Sequence, residues 1–108
     1  MKNNMLMSTT FEIAGREIQE TLGVARGNTI RSRHIGSDIV SSLKGIVGGE
    51  IKGYVKAMSD AREEATKRMV QEAIDMGADA IVGVRFATSS VMAGAAEILV
   101  YGTAVRLR

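Results

Sequence analysis

The sequence predicts one α+β domain of two layers, with helices laid on one face of a sheet. Three observations carry that prediction. Segments 80–88 and 97–107 alternate their side chains with the period of two expected of strands. Segment 52–76 repeats apolar residues with the period of a helix. The chain has 108 residues, 45% hydrophobic and 24% charged, which suits one globular domain spanning 1–108 rather than a disordered chain.

The elements follow in order. Met5–Thr10 reads as a short strand with Met5, Met7 and Thr9 on one face, and Phe11–Gly15 as a turn. Ile18, Glu20, Leu22 and Val24 then form one side of a half-buried strand. Gly27-Asn28 interrupts the alternation and predicts a bulge or bend, because both residue types tolerate positive φ. The strand resumes over 29–33. Gly36-Ser37-Asp38 reads as a helix start, with Ser37 as N-cap and Asp38 in the first turn against the positive dipole end. Ile39, Val40, Leu43, Ile46 and Val47 make its apolar stripe, and Gly48-Gly49 ends this short helix.

The second helix, 52–76, turns Val55, Met58, Ala61, Ala65, Met69, Ala73 and Met76 to one side. Glu63 to Lys67 and Glu64 to Arg68 are spaced one turn apart, with the acid first, the better orientation. Gly77 is the expected C′ residue. At 1.5 Å per residue this helix would be about 40 Å long, the full length of a compact domain of this size, which predicts a bend or break near Gly53.

The last two strands are apolar on both sides. Ala80, Val82, Val84 and Phe86 share one face, with Ile81 and Ala87 on the other. Leu99, Tyr101, Thr103, Val105 and Leu107 share a face, with Ile98, Val100 and Ala104 opposite. Helices on one side of a sheet cover only one of these faces, so the second calls for a neighbouring subunit.

Composition excludes several chemistries. With no cysteine, the chain has no disulfide, zinc-thiolate site, iron–sulfur cluster or Cys nucleophile of its own, and its one histidine, His34, cannot build an imidazole cage within one chain. No run of about 18 apolar residues is present, so no membrane association is expected. Met1–Asn4 is polar with no apolar leader core, which points to the cytoplasm. The net charge of +2 is too small to imply nucleic acid.

Taken in order, these segments resemble the YbjQ-like family of small bacterial proteins, whose common label is "putative heavy-metal-binding". The resemblance is carried by Ser8-Thr9-Thr10; Ile13, Gly15 and Ile18; Gly23-Val24 and Gly27; Ile35 and Asp38; and Ile46-Val47-Gly48-Gly49. It continues through Tyr54, Ala61-Arg62 and Ala65 to Gly77-Ala78-Asp79-Ala80-Ile81-Val82-Gly83 and Gly102-Thr103-Ala104-Val105. It spans residues 7–106. It implies a dodecin-like β-α-β-β subunit with extra short strands, an antiparallel sheet with helices on one face, and a ring-shaped homopentamer that those strands help to join. Glu50 and Val55 stand where members often carry a basic and an acidic residue, and Arg33-His34 where they carry small or amide residues.

The metal label can be weighed against the residues. His34 and Asp38 are one helical turn apart and, repeated around a ring, could line an axial site. The simpler account is a polar loop residue and a first-turn acid. Met5 and Met7 could offer thioethers to Cu(I), but strand methionines usually pack. Gly48-Gly49 could form a backbone anion nest, though helix termination explains it. No phosphate-loop or dinucleotide motif occurs. Glu63 and Glu64 diverge on a helix, and Ser41-Ser42 and Ser89-Ser90 stand in no Ser-His-acid order that reads as a motif, so no catalytic residue can be nominated.

Arg26, Arg31, Arg33 and His34 form a basic run, echoed by Arg106 and Arg108, which suits a small anionic ligand. With two Phe and two Tyr, the chain is poorly supplied for stacking on nucleic acid. The expectation is a non-enzymatic cytoplasmic homopentamer of unknown role that binds a small ligand or ion at its subunit junctions. Its candidate ligand residues are Arg31, Arg33, His34, Asp38, Gly48 and Gly49. The alternatives are a metal-binding protein, with His34 and Asp38 as ligands, and an enzyme with an interface site. No cofactor is named by the sequence.

Overall fold

Helix and strands run along one long axis in a computed structural model that describes residues 5–32, 47–92 and 95–108. The elements are β1 (Leu6–Met7), β2 (Ile18–Ser32), α1 (Val47–Asp75), β3 (Ala80–Met92) and β4 (Ala95–Leu107). The sheet order is β1-β3-β4-β2. β3 and β4 form a hairpin and β2 pairs antiparallel with β4, while β1 lies parallel to β3 through Leu6 and Ala80. The sheet is therefore mixed rather than wholly antiparallel. Parallel pairing at this edge follows from geometry: β1 reaches β3 through a crossover that includes β2 and α1, not through a hairpin.

α1 is 29 residues long, about 43 Å at the standard rise. It is unbroken through Gly53, where the sequence predicted a break. The domain is elongated, 56 × 25 × 24 Å, and so accommodates the helix beside a strand of 15 residues. Gly48 and Gly49 lie inside α1, where the sequence was read as a helix end. Glycine costs about 1 kcal/mol per position in a helix, which adjoining turns can absorb. The short helix read over 37–47 falls mostly outside the described residues. The C-terminal end of α1 matches expectation, with Gly77 at φ 85° and its amide bonded to the Ile74 carbonyl at 2.9 Å.

The core lies between α1 and the β2–β4 half of the sheet. Ala61, Ala65, Met69 and Ala73 of α1 are fully buried against Ala25, Ile98, Val100 and Ala104. Small residues on the helix allow close approach, and β2 answers with Gly27. A Cβ at Gly27 would collide with the Ala65 carbonyl and the Met69 amide. Gly27 thus serves contact rather than conformation: Gly27 and Asn28 pair regularly with Val100 and Leu99, and no bulge forms there. Thr29, nearly buried, donates its hydroxyl to the Ala61 carbonyl at 3.2 Å.

The register shifts of the sheet lie elsewhere. In β2 they fall between Ile18 and Glu20 and between Thr21 and Gly23. They separate residues read as one face: Ile18 joins the cluster away from α1, Leu22 packs toward it, and Val24 is 60% exposed. In β3 the shift between Val82 and Arg85 contains Gly83 at φ 63°, a conformation that a side chain would strain. Val84 therefore joins Ile81 beneath α1, while Ala80 and Val82 stay on the opposite side. The alternation of β4 holds, with Val105 and Leu107 on one face and Ile98, Val100 and Ala104 on the other.

The second apolar face is partly covered by the chain itself. Ala80, Val82, Val105 and Leu107 pack with Ile13 of the segment that follows β1 and with Ile18 at the start of β2. The remainder of that face carries Val24, Ile30 and Tyr101, all exposed.

Two stability measurements check this packing. Met69→Ala should lower the unfolding free energy by about 2–5 kcal/mol, since the side chain is fully buried. A change below about 0.5 kcal/mol would put Met69 on the surface. Gly27→Ala should destabilise by about 1–3 kcal/mol through overpacking. Gly53→Ala, in a helix with nothing near its Cβ position, should stabilise by about 0.5–1 kcal/mol. Equal effects of the two substitutions would refute the close approach at Gly27.

Candidate functional site

The six candidate residues from the sequence do not form a described cluster. Arg31 lies on β2, its backbone paired with Ala96 of β4. Gly48 and Gly49 sit in the first described turn of α1, so a nest built from a loop between two helices is replaced by helical backbone. Arg33, His34 and Asp38 lie outside the described residues. The basic residues expected to echo them, Arg106 and Arg108, are matched by acids: Arg106 Nε lies 3.4 Å from Glu20 Oε1, and Arg108 Nε 3.4 Å from Glu17 Oε1. Both pairs are largely exposed, so each contributes at most about 1 kcal/mol.

A structured surface region, not singled out in the sequence, surrounds the segment after β1. Its backbone is anchored to β3: the Ser8 amide donates to the Ile81 carbonyl at 3.0 Å, and the Ser8 and Thr10 carbonyls accept from the Val84 and Gly83 amides at 3.0 and 2.7 Å. The Phe11 ring lies over Gly83, where a Cβ would come within 2.9 Å. Arg85 sits 5.5 Å from the centre of that ring and donates to the carbonyls of Thr9 and Val84. Beside it, Phe11, Glu12, Arg16, Glu17 and Ile18 line an open depression of about 480 Å³.

The hydroxyls of this segment are internally committed. Thr10 donates its hydroxyl to the Glu12 carbonyl at 2.6 Å and its amide to Ser8 Oγ at 3.0 Å. The Ser8 hydroxyl is then the donor in its 2.5 Å contact with Thr10 Oγ1. This is a turn that secures itself, and no base is positioned beside either oxygen. Sequence reading passed over Phe11 and Arg85 because the two are distant from each other in the chain. A large aromatic at the start of a turn was the available signal.

Metal chemistry finds little support among the described residues, where no three of His, Cys, Asp or Glu converge. Nor, among those residues, is any helix long and apolar enough to cross a membrane.

Comparison with known proteins gives the family. A family profile described as "Putative heavy-metal-binding" matches residues 5–108. A "UPF0145 protein" of Methanosarcina acetivorans is 59% identical over 103 residues, covering 95% of this chain and 97% of that one. A "UPF0145 protein" of Archaeoglobus fulgidus is 56% identical over 108 residues and covers both chains completely. One of Vibrio campbellii is 55% identical over 103 residues, covering 95% and 99%. The archaeal relatives correct the expectation of a purely bacterial family. A crystal structure from Pediococcus pentosaceus, described as a protein of unknown function in the DUF74 family, superposes with a TM-score of 0.59 at 16% identity, covering 96% of this chain and 98% of that one, which extends the likeness to the fold alone. The α+β fold, the match over 5–108 and the identities to full-length relatives lead to one conclusion: this chain belongs to the YbjQ-like family of UPF0145 proteins.

Proposed function

We propose that the protein is a non-enzymatic cytoplasmic subunit of a ring-shaped homopentamer that holds a small ligand or ion at its subunit junctions. The observation that carries the assembly is the uncovered apolar surface of the sheet away from α1. Val24 and Ile30 are 60% and 58% exposed, and Tyr101 stands beside them on β4. Among the described residues, the chain covers the other end of the same face but not this one. An apolar surface left open next to a covered one calls for a partner, and a second copy is the partner always at hand. The five-fold number comes from the family resemblance. The ligand reading draws on the basic run, of which Arg26 and Arg31 are described, and on the fold analogy that places ligands between subunits.

Native mass spectrometry of the purified protein tests both parts together. The expected spectrum is dominated by a species of five chains, with excess mass wherever a ligand co-purifies. A stable monomer at micromolar concentration in light scattering would overturn the assembly.

The family description favours a second reading, a metal-binding protein. The ligand arithmetic opposes it: with no cysteine and one histidine, each chain supplies a single strong nitrogen donor, where a tight site needs three or four. Titration of the apo protein with zinc or copper should give no submicromolar binding at one equivalent per chain. Such binding would refute the arithmetic. One equivalent per pentamer, lost in His34→Ala, would establish an axial ring site instead. An enzyme with an interface site is the third reading, and a co-purifying substrate-like molecule turned over on incubation would favour it.

A further inference from the structure

β2 is the outer strand on its side of the sheet and runs for 15 residues. A long edge strand presents a row of outward N–H and C=O groups on which another chain can add as a further strand. In an antiparallel pair, alternate residues direct both groups inward, and the rest direct them out. Arg26 and Asn28 belong to the outward set, because their backbone groups bond to α1. The Arg26 amide donates to Glu72 Oε1 at 2.8 Å. At the next outward position, the Asn28 carbonyl accepts from Arg68 Nη1 at 2.7 Å. Glu72 and Arg68 are one turn apart on α1. The carboxylate stands where an incoming strand would place a carbonyl, and the guanidinium where it would place an amide. Arg68 is in turn steered by Glu64, with Nε 3.3 Å from Oε2. Gly27, on which the helix rests, lies between the two blocked positions and brings α1 near enough for both side chains to reach.

We propose that Glu72 and Arg68 form a stopper that closes the middle of the β2 outer edge to strand addition. A second copy of this chain then cannot prolong the sheet at that edge, wherever else the copies meet. On the opposite side of the sheet, β1 pairs with Ala80 and Ile81, and the Ser8 and Thr10 carbonyls take up the Val84 and Gly83 amides. With both edges open, head-to-tail pairing of copies would prolong one sheet without limit. With β2 closed, growth of that kind stops. The closure of β2 stands independently of the oligomeric reading above.

Amide hydrogen exchange reads the stopper directly. In the wild-type protein the Arg26 amide should be protected although it points away from β4. In Glu72→Ala it should exchange at least about tenfold faster, the loss expected for one hydrogen bond to a charged group. The inward amides of Ala25 and Gly27 should keep their rates, and Glu72→Gln, which retains an acceptor oxygen, should keep the wild-type rate at Arg26. In sedimentation velocity, the double variant Glu72→Ala/Arg68→Ala should form species larger than wild type whose size grows with concentration. Wild-type exchange at Arg26 as fast as an unprotected amide would overturn the proposal. So would a folded double variant that sediments as wild type does. If the double variant does not fold, the exchange rates of wild type, Glu72→Ala and Glu72→Gln decide the matter. A monomeric wild type would refute the ring, while growth in the double variant would still uphold the stopper.

Discussion

The close approach of α1 to β2 at Gly27 is the constraint on which the rest of the subunit depends. One missing Cβ lets the helix backbone settle on the strand, with the Ala65 carbonyl and the Met69 amide in the space a side chain would occupy. The alanines at 61, 65 and 73 continue the same closeness along the helix. Met69 then fills what the small residues leave, as a flexible side chain can. The closeness also has a polar consequence. Thr29 reaches the Ala61 carbonyl, and Glu72 and Arg68 reach the outward backbone of Arg26 and Asn28. A helix held farther from the strand by larger side chains could make none of these bonds.

Bulges divide the apolar residues between two clusters. A strand with unbroken alternation commits its whole length to one assignment of faces. Gly83 interrupts that assignment in β3, so Val84 joins the core under α1 while Ala80 and Val82 remain on the far side. The same bulge provides a flat place for the Phe11 ring and amides for the segment that follows β1. That segment covers one end of the far face with Ile13, beside Ile18 at the start of β2. Among the described residues coverage ends there, leaving Val24, Ile30 and Tyr101 exposed, and the case for assembly is concentrated on these residues.

The family's label and the chain's chemistry point in different directions. Soft metals are held by thiolates and imidazoles in sets, and this chain has no cysteine and one histidine. The charged groups near the chain ends are arranged in exposed pairs, Glu17 with Arg108 and Glu20 with Arg106. The hydroxyls of Ser8 and Thr10 are committed to their own turn. On the reading proposed above, binding surfaces are completed by assembly of subunits.

The long helix, the final two strands and their two apolar faces were legible in the sequence, because each is written as a local period. The buried stripe of Ala61, Ala65, Met69 and Ala73 follows from helical spacing, and the alternation of β4 from strand spacing. The family was legible too, through an ordered set of short motifs. Local period says nothing about which distant backbone a glycine meets. Gly27 looked like a bend and is a contact, Gly48-Gly49 looked like a terminus and is helix, and Gly83 looked like a regular strand position and is a bulge. The Arg85–Phe11 pair and the Glu72 and Arg68 bonds to β2 were equally out of reach, since their partners lie 74, 46 and 40 positions away. Sequence determined which residues could be buried and in which elements. Tertiary structure decided which glycines yield space and which yield conformation, because that depends on the backbone brought against them.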